Sequence, residues 1–111
     1  MEPKVILIQS EFLGRGDDEL GMMLMSNFLR LLEESEEKPA QMLFWNTGVR
    51  LVCEGSWALE HLKTLEAGGI EILACGTCLD FFELTDRLAV GKPTNMAASI
   101  KSMMTSQMVC L

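Results

Sequence analysis

The chain has 111 residues, with 9 lysines and arginines against 16 aspartates and glutamates, a formal net charge of −7 and 49% hydrophobic residues. That acidic balance argues against nucleic acid as a partner, because affinity for a phosphate backbone comes mainly from Lys and Arg displacing counterions. No uninterrupted apolar run approaches the roughly 20 residues of a membrane span, so no membrane partner is expected, and the length reads as a single domain, 1–111.

Met1-Glu2-Pro3 runs into an apolar stretch with no basic region or small-residue cleavage site, which predicts no signal peptide and a cytoplasmic protein. In that reducing compartment Cys53, Cys75, Cys78 and Cys110 are not expected to form a disulfide framework. The acidic cluster Glu33-Glu34-Ser35-Glu36-Glu37 reads as the solvated end of a helix.

Lys4-Val5-Ile6-Leu7-Ile8-Gln9 is too short for a helix and too continuously apolar for a strand with one wet face, so it predicts a buried central strand. The loop Ser10 to Gly16 holds Gly14-Arg15-Gly16. The next glycine is Gly21, which is the wrong spacing for a phosphate-binding turn, and Asp17, Asp18 and Glu19 would repel a phosphate. A plain strand-to-helix turn capped by an aspartate fits better. From Asp18 to about Ser35, Leu20, Leu24, Phe28, Leu31 and Leu32, flanked by Met23, Met25 and Leu29, recur at helical spacing, a wide apolar face for the core or an oligomer contact. Lys38-Pro39 ends that element.

Gln41 to Asn46 predicts the second strand, closed by the turn Asn46-Thr47-Gly48, with Val49 to Glu54 an irregular loop or short extension. Gly55-Ser56 offers a cap for a helix carrying Trp57, Ala58, Leu59, Leu62 and Leu65, which stops at Gly68-Gly69. His61, the one histidine, lies in this helix; a surface role is favoured over a catalytic pairing with a cysteine. Ile70 to Ala74 predicts a third strand running into Cys75-Gly76-Thr77-Cys78, followed by a short helix from Leu79. Leu88-Ala89-Val90 is a candidate fourth strand broken by Gly91 to Asn95. Met96 to Met104, with Ile100, Met103 and Met104 at helical spacing, predicts a final helix, and Gln107 to Leu111 a closing strand.

Regular alternation of strand and helix implies an α/β fold: a three-layer α-β-α architecture with a mostly parallel open sheet. In such sheets the ligand site lies beyond the carboxyl ends of the strands. That rule puts the thiol turn and the loops around Gly14, Asn46 and Asn95 on one rim. Cys110 could approach it, although for Cys53 and Cys110 a buried apolar role is favoured.

Cys75 and Cys78, at a helix start, predict an exposed turn where orphan amides favour a thiolate over a thiol. The first thiol of such a pair is usually the attacker and the second resolves what forms on it. Gly76 would let a partner approach, and Thr77 offers a hydroxyl. A zinc site normally draws on two close pairs of ligands, and here there is one pair, so no metal is expected. A thioredoxin-type oxidoreductase shares the Cys-x-x-Cys spacing, but its turn typically contains a proline and precedes a long helix.

Taken together, Gly14 to Met25, Asn46 to Val49, Glu54 to Ser56, Leu62 to Glu66, Cys75 to Asp80 and Val90 to Met96 resemble the DsrE-like domain of the sulfurtransferase-like selenium-metabolism proteins, the YedF family. The resemblance covers nearly the whole chain. It implies a DsrE-like α/β subunit that forms homo-oligomers and passes sulfur as a cysteine persulfide, with Cys75 as the sulfur carrier and Cys78 as the second thiol found in a subset of members. The TusA-like domain that usually precedes this one in the YedF family has no counterpart here, which fits either an excised domain or a stand-alone version; by resemblance a TusA-like sulfur carrier is a candidate partner. The expectation is therefore a cytoplasmic persulfide carrier or sulfurtransferase-like protein, for sulfur or selenium, without a cofactor. Cys75 and Cys78 would be the reacting groups, and Gly76, Thr77, Asn46 and Asn95 the binding residues. The alternative is a non-catalytic oligomeric module whose thiols sense redox state or bind a small ligand.

Overall fold

A computed structural model describes residues 3–111; Met1 and Glu2, which belong to the N-terminal reading above, lie outside the described residues. The elements alternate as expected: β1 (Lys4–Ile8), α1 (Asp18–Glu34), β2 (Gln41–Phe44), α2 (Leu59–Ala67), β3 (Glu71–Cys75), α3 (Gly76–Phe81), β4 (Lys92–Thr94), α4 (Met96–Thr105) and β5 (Gln107–Cys110). The five strands form one sheet in the order β4-β3-β2-β1-β5, with every pair parallel. Helices cover both sides, giving a three-layer α-β-α fold. Among the described residues no helix is long and apolar enough to cross a membrane.

The strand order explains how the layers are shared out. From β1 the chain steps outward to β2, β3 and β4, then returns past β1 to add β5 on the far side. Parallel crossovers are almost always right-handed, so the outward steps send their helices to one face and the return sends α4 alone to the other. Accordingly Met25 and Leu29 of α1, Leu62 and Leu65 of α2 and Leu79 of α3 pack with Ile6, Ile8, Met42, Phe44, Ile72 and Ala74 in one core. The opposite face buries only Val5, Leu7 and Leu43, with Trp45, Leu73 and Met108 half-buried beside them.

Several expectations shift in the structure. Asp17 caps α1 as foreseen, its Oδ1 accepting from the Leu20 N–H at 2.9 Å. The core stripe of α1 is Gly21, Met25 and Leu29, with Phe28 and Leu32 of the expected face packed beside it, while Leu20, Met23, Leu24 and Leu31 are exposed. The helix is apolar nearly all round, so periodicity alone could not say which stripe faces in. Residues Asn46–Val52 form a 3₁₀ helix rather than an irregular loop. Gly48 makes this possible: a Cβ there would lie 2.6 Å from the Ile8 carbonyl oxygen. The Ser56 hydroxyl accepts from the Ala58 N–H, and α2 starts at Leu59, slightly later than its apolar pattern suggests.

The fourth strand is not Leu88-Ala89-Val90 but the segment expected to break it, Lys92–Thr94. Leu88 instead bridges Cys53 in antiparallel fashion, and Val90 is buried. Proline is tolerated in an edge strand because one side of its backbone needs no ladder partner, and β4 is such an edge. The final helix also turns its pattern outward: Ser99 is buried against the sheet, whereas Met96, Ile100 and Met104 are exposed.

Candidate functional site

The carboxyl ends of β1, β2 and β3 stop in register, Ile8 beside Phe44 and Phe44 beside Ala74. The next residues are Gln9, Trp45 and Cys75, of which Trp45 packs against the thinner core and Cys75 against the thicker one. These three share a cavity of about 460 Å³ with Asn46, Thr77 and Cys78. Arg15, from the β1–α1 loop, and Met96, at the start of α4, complete its lining. Several residues of the rim that the sheet-rim rule pointed to thus line one cavity.

Cys75 is the last residue of β3 and the N-cap of α3, and its sulfur accepts from the Cys78 N–H at 3.3 Å. Asn46, two residues beyond β2 and the first of the 3₁₀ helix, has a left-handed conformation, φ 52°, which asparagine tolerates better than most residues. That turn aims its N–H at the Cys78 sulfur, 3.1 Å away, while its Oδ1 accepts from the Thr47 N–H. Both thiols are half-buried and free, so neither is walled off from solvent.

The two sulfurs differ in their surroundings. Burial pushes the Cys78 thiol above its ordinary value and the hydrogen bond with the Cys75 side chain adds to that, while the Asn46 N–H acts the other way. The expectation that a helix start would favour ionisation of both thiols is thus corrected for Cys78. Here desolvation by burial outweighs the amide contact.

The other residues singled out from sequence fall in distinct places. Thr77 is exposed and lines the cavity beside both thiols. Gly76 faces the structure's own edge strand; a Cβ there would meet the Thr94 carbonyl oxygen at 3.1 Å. Asn95 caps α4, its Oδ1 accepting from the Ala98 N–H at 2.8 Å, and is next to the cavity-lining Met96. His61 lies away from the thiols and contacts Glu33 of α1, Nδ1 to Oε1 2.7 Å. Cys53 is buried as expected, its thiol donating to the Val49 carbonyl, and burial followed by the nearby Glu54 charge raises it. Cys110, expected to be buried, is exposed because β5 is an edge strand on the thinner face. Among the described residues no group of three or more His, Cys, Asp and Glu is arranged to hold a metal ion.

Gln9, Arg15, Trp45 and Met96 had not been singled out as site residues. The register of the sheet would have found Gln9 and Trp45, since each follows the strand end that the rim rule uses. Arg15 had been considered only for a phosphate turn. A larger cavity, about 570 Å³, lies between α4 and the sheet near Glu71 and Ser102, but no thiol lines it.

No protein-family model matches the chain, and no curated protein matches it. Its fold is that of several solved structures. A protein of unknown function, MTH1491 from Methanobacterium thermoautotrophicum, superposes with a TM-score of 0.72 at 16% identity, covering 97% of each chain. The ychN protein from E. coli gives 0.72 at 13% identity, covering 98% of this chain and 99% of that one. A conserved protein of unknown function, BT1422 from Bacteroides thetaiotaomicron, gives 0.65 at 11% identity, covering 98% and 95%. At these identities the likeness is one of fold, shared over essentially the full length of each chain.

Proposed function

We propose that the protein is a DsrE-like persulfide carrier of the YedF type, in which Cys75 takes sulfur, or selenium, from a donor and hands it to an acceptor thiol. The observation that carries this reading is the pair of half-buried thiols lining one open cavity at the carboxyl rim of the sheet. Deprotonated Cys75 attacks the outer sulfur of a donor, the donor's S–S bond breaks, and the leaving group departs with the electron pair. The acceptor thiolate then attacks the outer sulfur of the Cys75 persulfide, which restores Cys75.

Cys78 is placed to act on a persulfide formed at Cys75, its N–H meeting the Cys75 sulfur at 3.3 Å. A protonated thiol is a poor nucleophile, so at neutral pH Cys78 seldom attacks the persulfide beside it. When it does attack, the Cys75–Cys78 disulfide forms and hydrosulfide leaves, so that Cys78 acts as a release valve. The closeness of the two sulfurs also suits a redox-sensing module, the second reading. Apolar stripes left exposed on α1 (Leu20, Met23, Leu24) and α4 (Met96, Ile100, Met104) support a homo-oligomer in either case. A TusA-like carrier in the cytoplasm is the proposed protein partner.

Mass spectrometry after incubation with a persulfide donor tests the reading. The expected result is a reductant-labile adduct of one sulfur on Cys75, lost in Cys75→Ser, retained in Cys78→Ser and transferable to an acceptor thiol. A Cys75–Cys78 disulfide as the sole product, with no transferable sulfur, favours the redox-sensing module.

A further inference from the structure

Among the described residues, Arg15 is the one charged side chain lining the thiol cavity. It stands between two glycines with left-handed backbone, Gly14 at φ 84° and Gly16 at φ 129°, so the loop is shaped to carry it outward from the strand end. Among the described residues it forms no ion pair. Among the described residues no carboxylate lines that space, and the Asp17 carboxylate points to the first turn of α1, where it accepts from the Leu20 N–H. A chain of net charge −7 thus presents a local positive charge at its two candidate nucleophiles.

We infer that the cavity selects small sulfane-sulfur donors carrying their own anionic group, with Arg15 holding that group while Cys75 takes the sulfur. The inference rests on the persulfide-carrier reading and names the substrate class of the same site. Arginine suits the task because its planar fork of donors pairs with sulfonate, sulfite or carboxylate oxygens and never loses its charge. With thiosulfate, the smallest such donor, deprotonated Cys75 attacks the outer sulfur, a Cys75 S–S bond forms, the donor's S–S bond breaks, and sulfite leaves with the electron pair. The total charge is three negative on each side, and the proton lost by Cys75 goes to water. With the persulfide of a carboxylate-bearing thiol the same step releases a thiolate. Either donor is small against a cavity of about 460 Å³.

The test compares the wild type with Arg15→Gln, a substitution at an exposed loop side chain that leaves the core untouched. Two donors are used, thiosulfate and a carboxylate-bearing persulfide, alongside two alkylating agents that differ in charge, iodoacetate and iodoacetamide, all read at Cys75 by mass spectrometry. The variant is expected to load sulfur about tenfold more slowly, the size of one lost charge-assisted hydrogen bond. Its ratio of iodoacetate to iodoacetamide reactivity should fall roughly threefold, while iodoacetamide alone reacts at the wild-type rate. The donor whose loading depends on Arg15 identifies the source. Equal slowing with both alkylating agents, or unchanged loading from both donors, overturns the inference. Should no donor load the wild type, the carrier reading itself fails, and the alkylation ratio alone decides whether the cavity prefers anions: a fall supports it and an unchanged ratio overturns it.

Discussion

The two faces of the sheet are built unequally. On one, α1, α2 and α3 close over a continuous core from Ile6 to Val90; on the other, α4 alone covers three fully buried side chains, Val5, Leu7 and Leu43. The difference follows from one topological event, the return of the chain past β1, which leaves a single helix for the second face. Stability is thus concentrated on the side of α1 and α2, while the thiol cavity opens at the carboxyl rim, between Trp45 of the thinner face and the thiols that pack against the thicker one. A rim that must admit a donor cannot also be sealed by packing, so the division suits the chemistry proposed for it.

Truncations matched across the sheet would break the comparison most directly. Leu29, in the thick core, is fully buried, and Leu29→Ala is expected to cost ~2–5 kcal/mol through lost burial and the cavity left behind. Met108 on the thinner face is half-buried, and Met108→Ala should cost less than half as much. Urea denaturation of both variants reads the two values on one scale. Equal losses would mean that the thinner face is covered in solution, as an oligomer contact on α4 would cover it.

A smaller effect, pH dependence, sharpens the same contrast. Cys53 belongs to the thick core, and burial followed by the Glu54 charge raises its thiol from an ordinary value near 9.0. Between the ordinary and the raised value the folded chain holds a proton that the unfolded chain has lost. Stability therefore falls as pH rises above about 9, by at most about 1.4 kcal/mol per unit for this thiol. Cys53→Ala should be less stable at neutral pH, having lost a buried sulfur, yet show a shallower decline between about pH 9 and 10. Denaturant midpoints measured across this range compare the variant with the wild type; an equal decline in both would show that another group sets the slope.

Much of the architecture could be read from local pattern. The run Val5 to Ile8, the capping aspartate and the glycine stop at Gly68-Gly69 each carry a physical signal that tertiary packing does not reverse. Facing was less legible, because α1 and α4 are apolar on more than one side and the choice of buried stripe depends on which strands they meet. Lys92–Thr94 was missed as a strand since its pairing comes from β3 and not from its own composition. The thiol turn was visible because Cys-x-x-Cys is a chemical spacing, whereas Arg15 reaches the site only through the fold. The order of the two thiols, attacker then resolver, was expected from the motif, whereas the particular surroundings of Cys78, the Asn46 N–H and its burial, come only from the fold.

The smallest predicted effect concerns the two helix caps, one on each face. Asp17 and Asn95 each accept a backbone N–H from the first turn of their helix, so Asp17→Ala and Asn95→Ala should each remove about 1 kcal/mol of helix stability. Where that loss appears should differ. Helix α1 is locked into the thick core through Met25 and Leu29, so its weakening is felt by the whole cooperative unit and Asp17→Ala lowers the global unfolding free energy. Helix α4 turns small side chains to the sheet, held by contacts such as the Ser102 hydroxyl to Gln41 Oε1, and can open without exposing the main core. Hydrogen exchange in Asn95→Ala should therefore speed up across Met96 to Thr105 while protection in β1 to β3 stays at the wild-type level. Matching losses in both regions would show that α4 is part of the same cooperative unit, and that the thin face is as firmly tied to the core as the thick one.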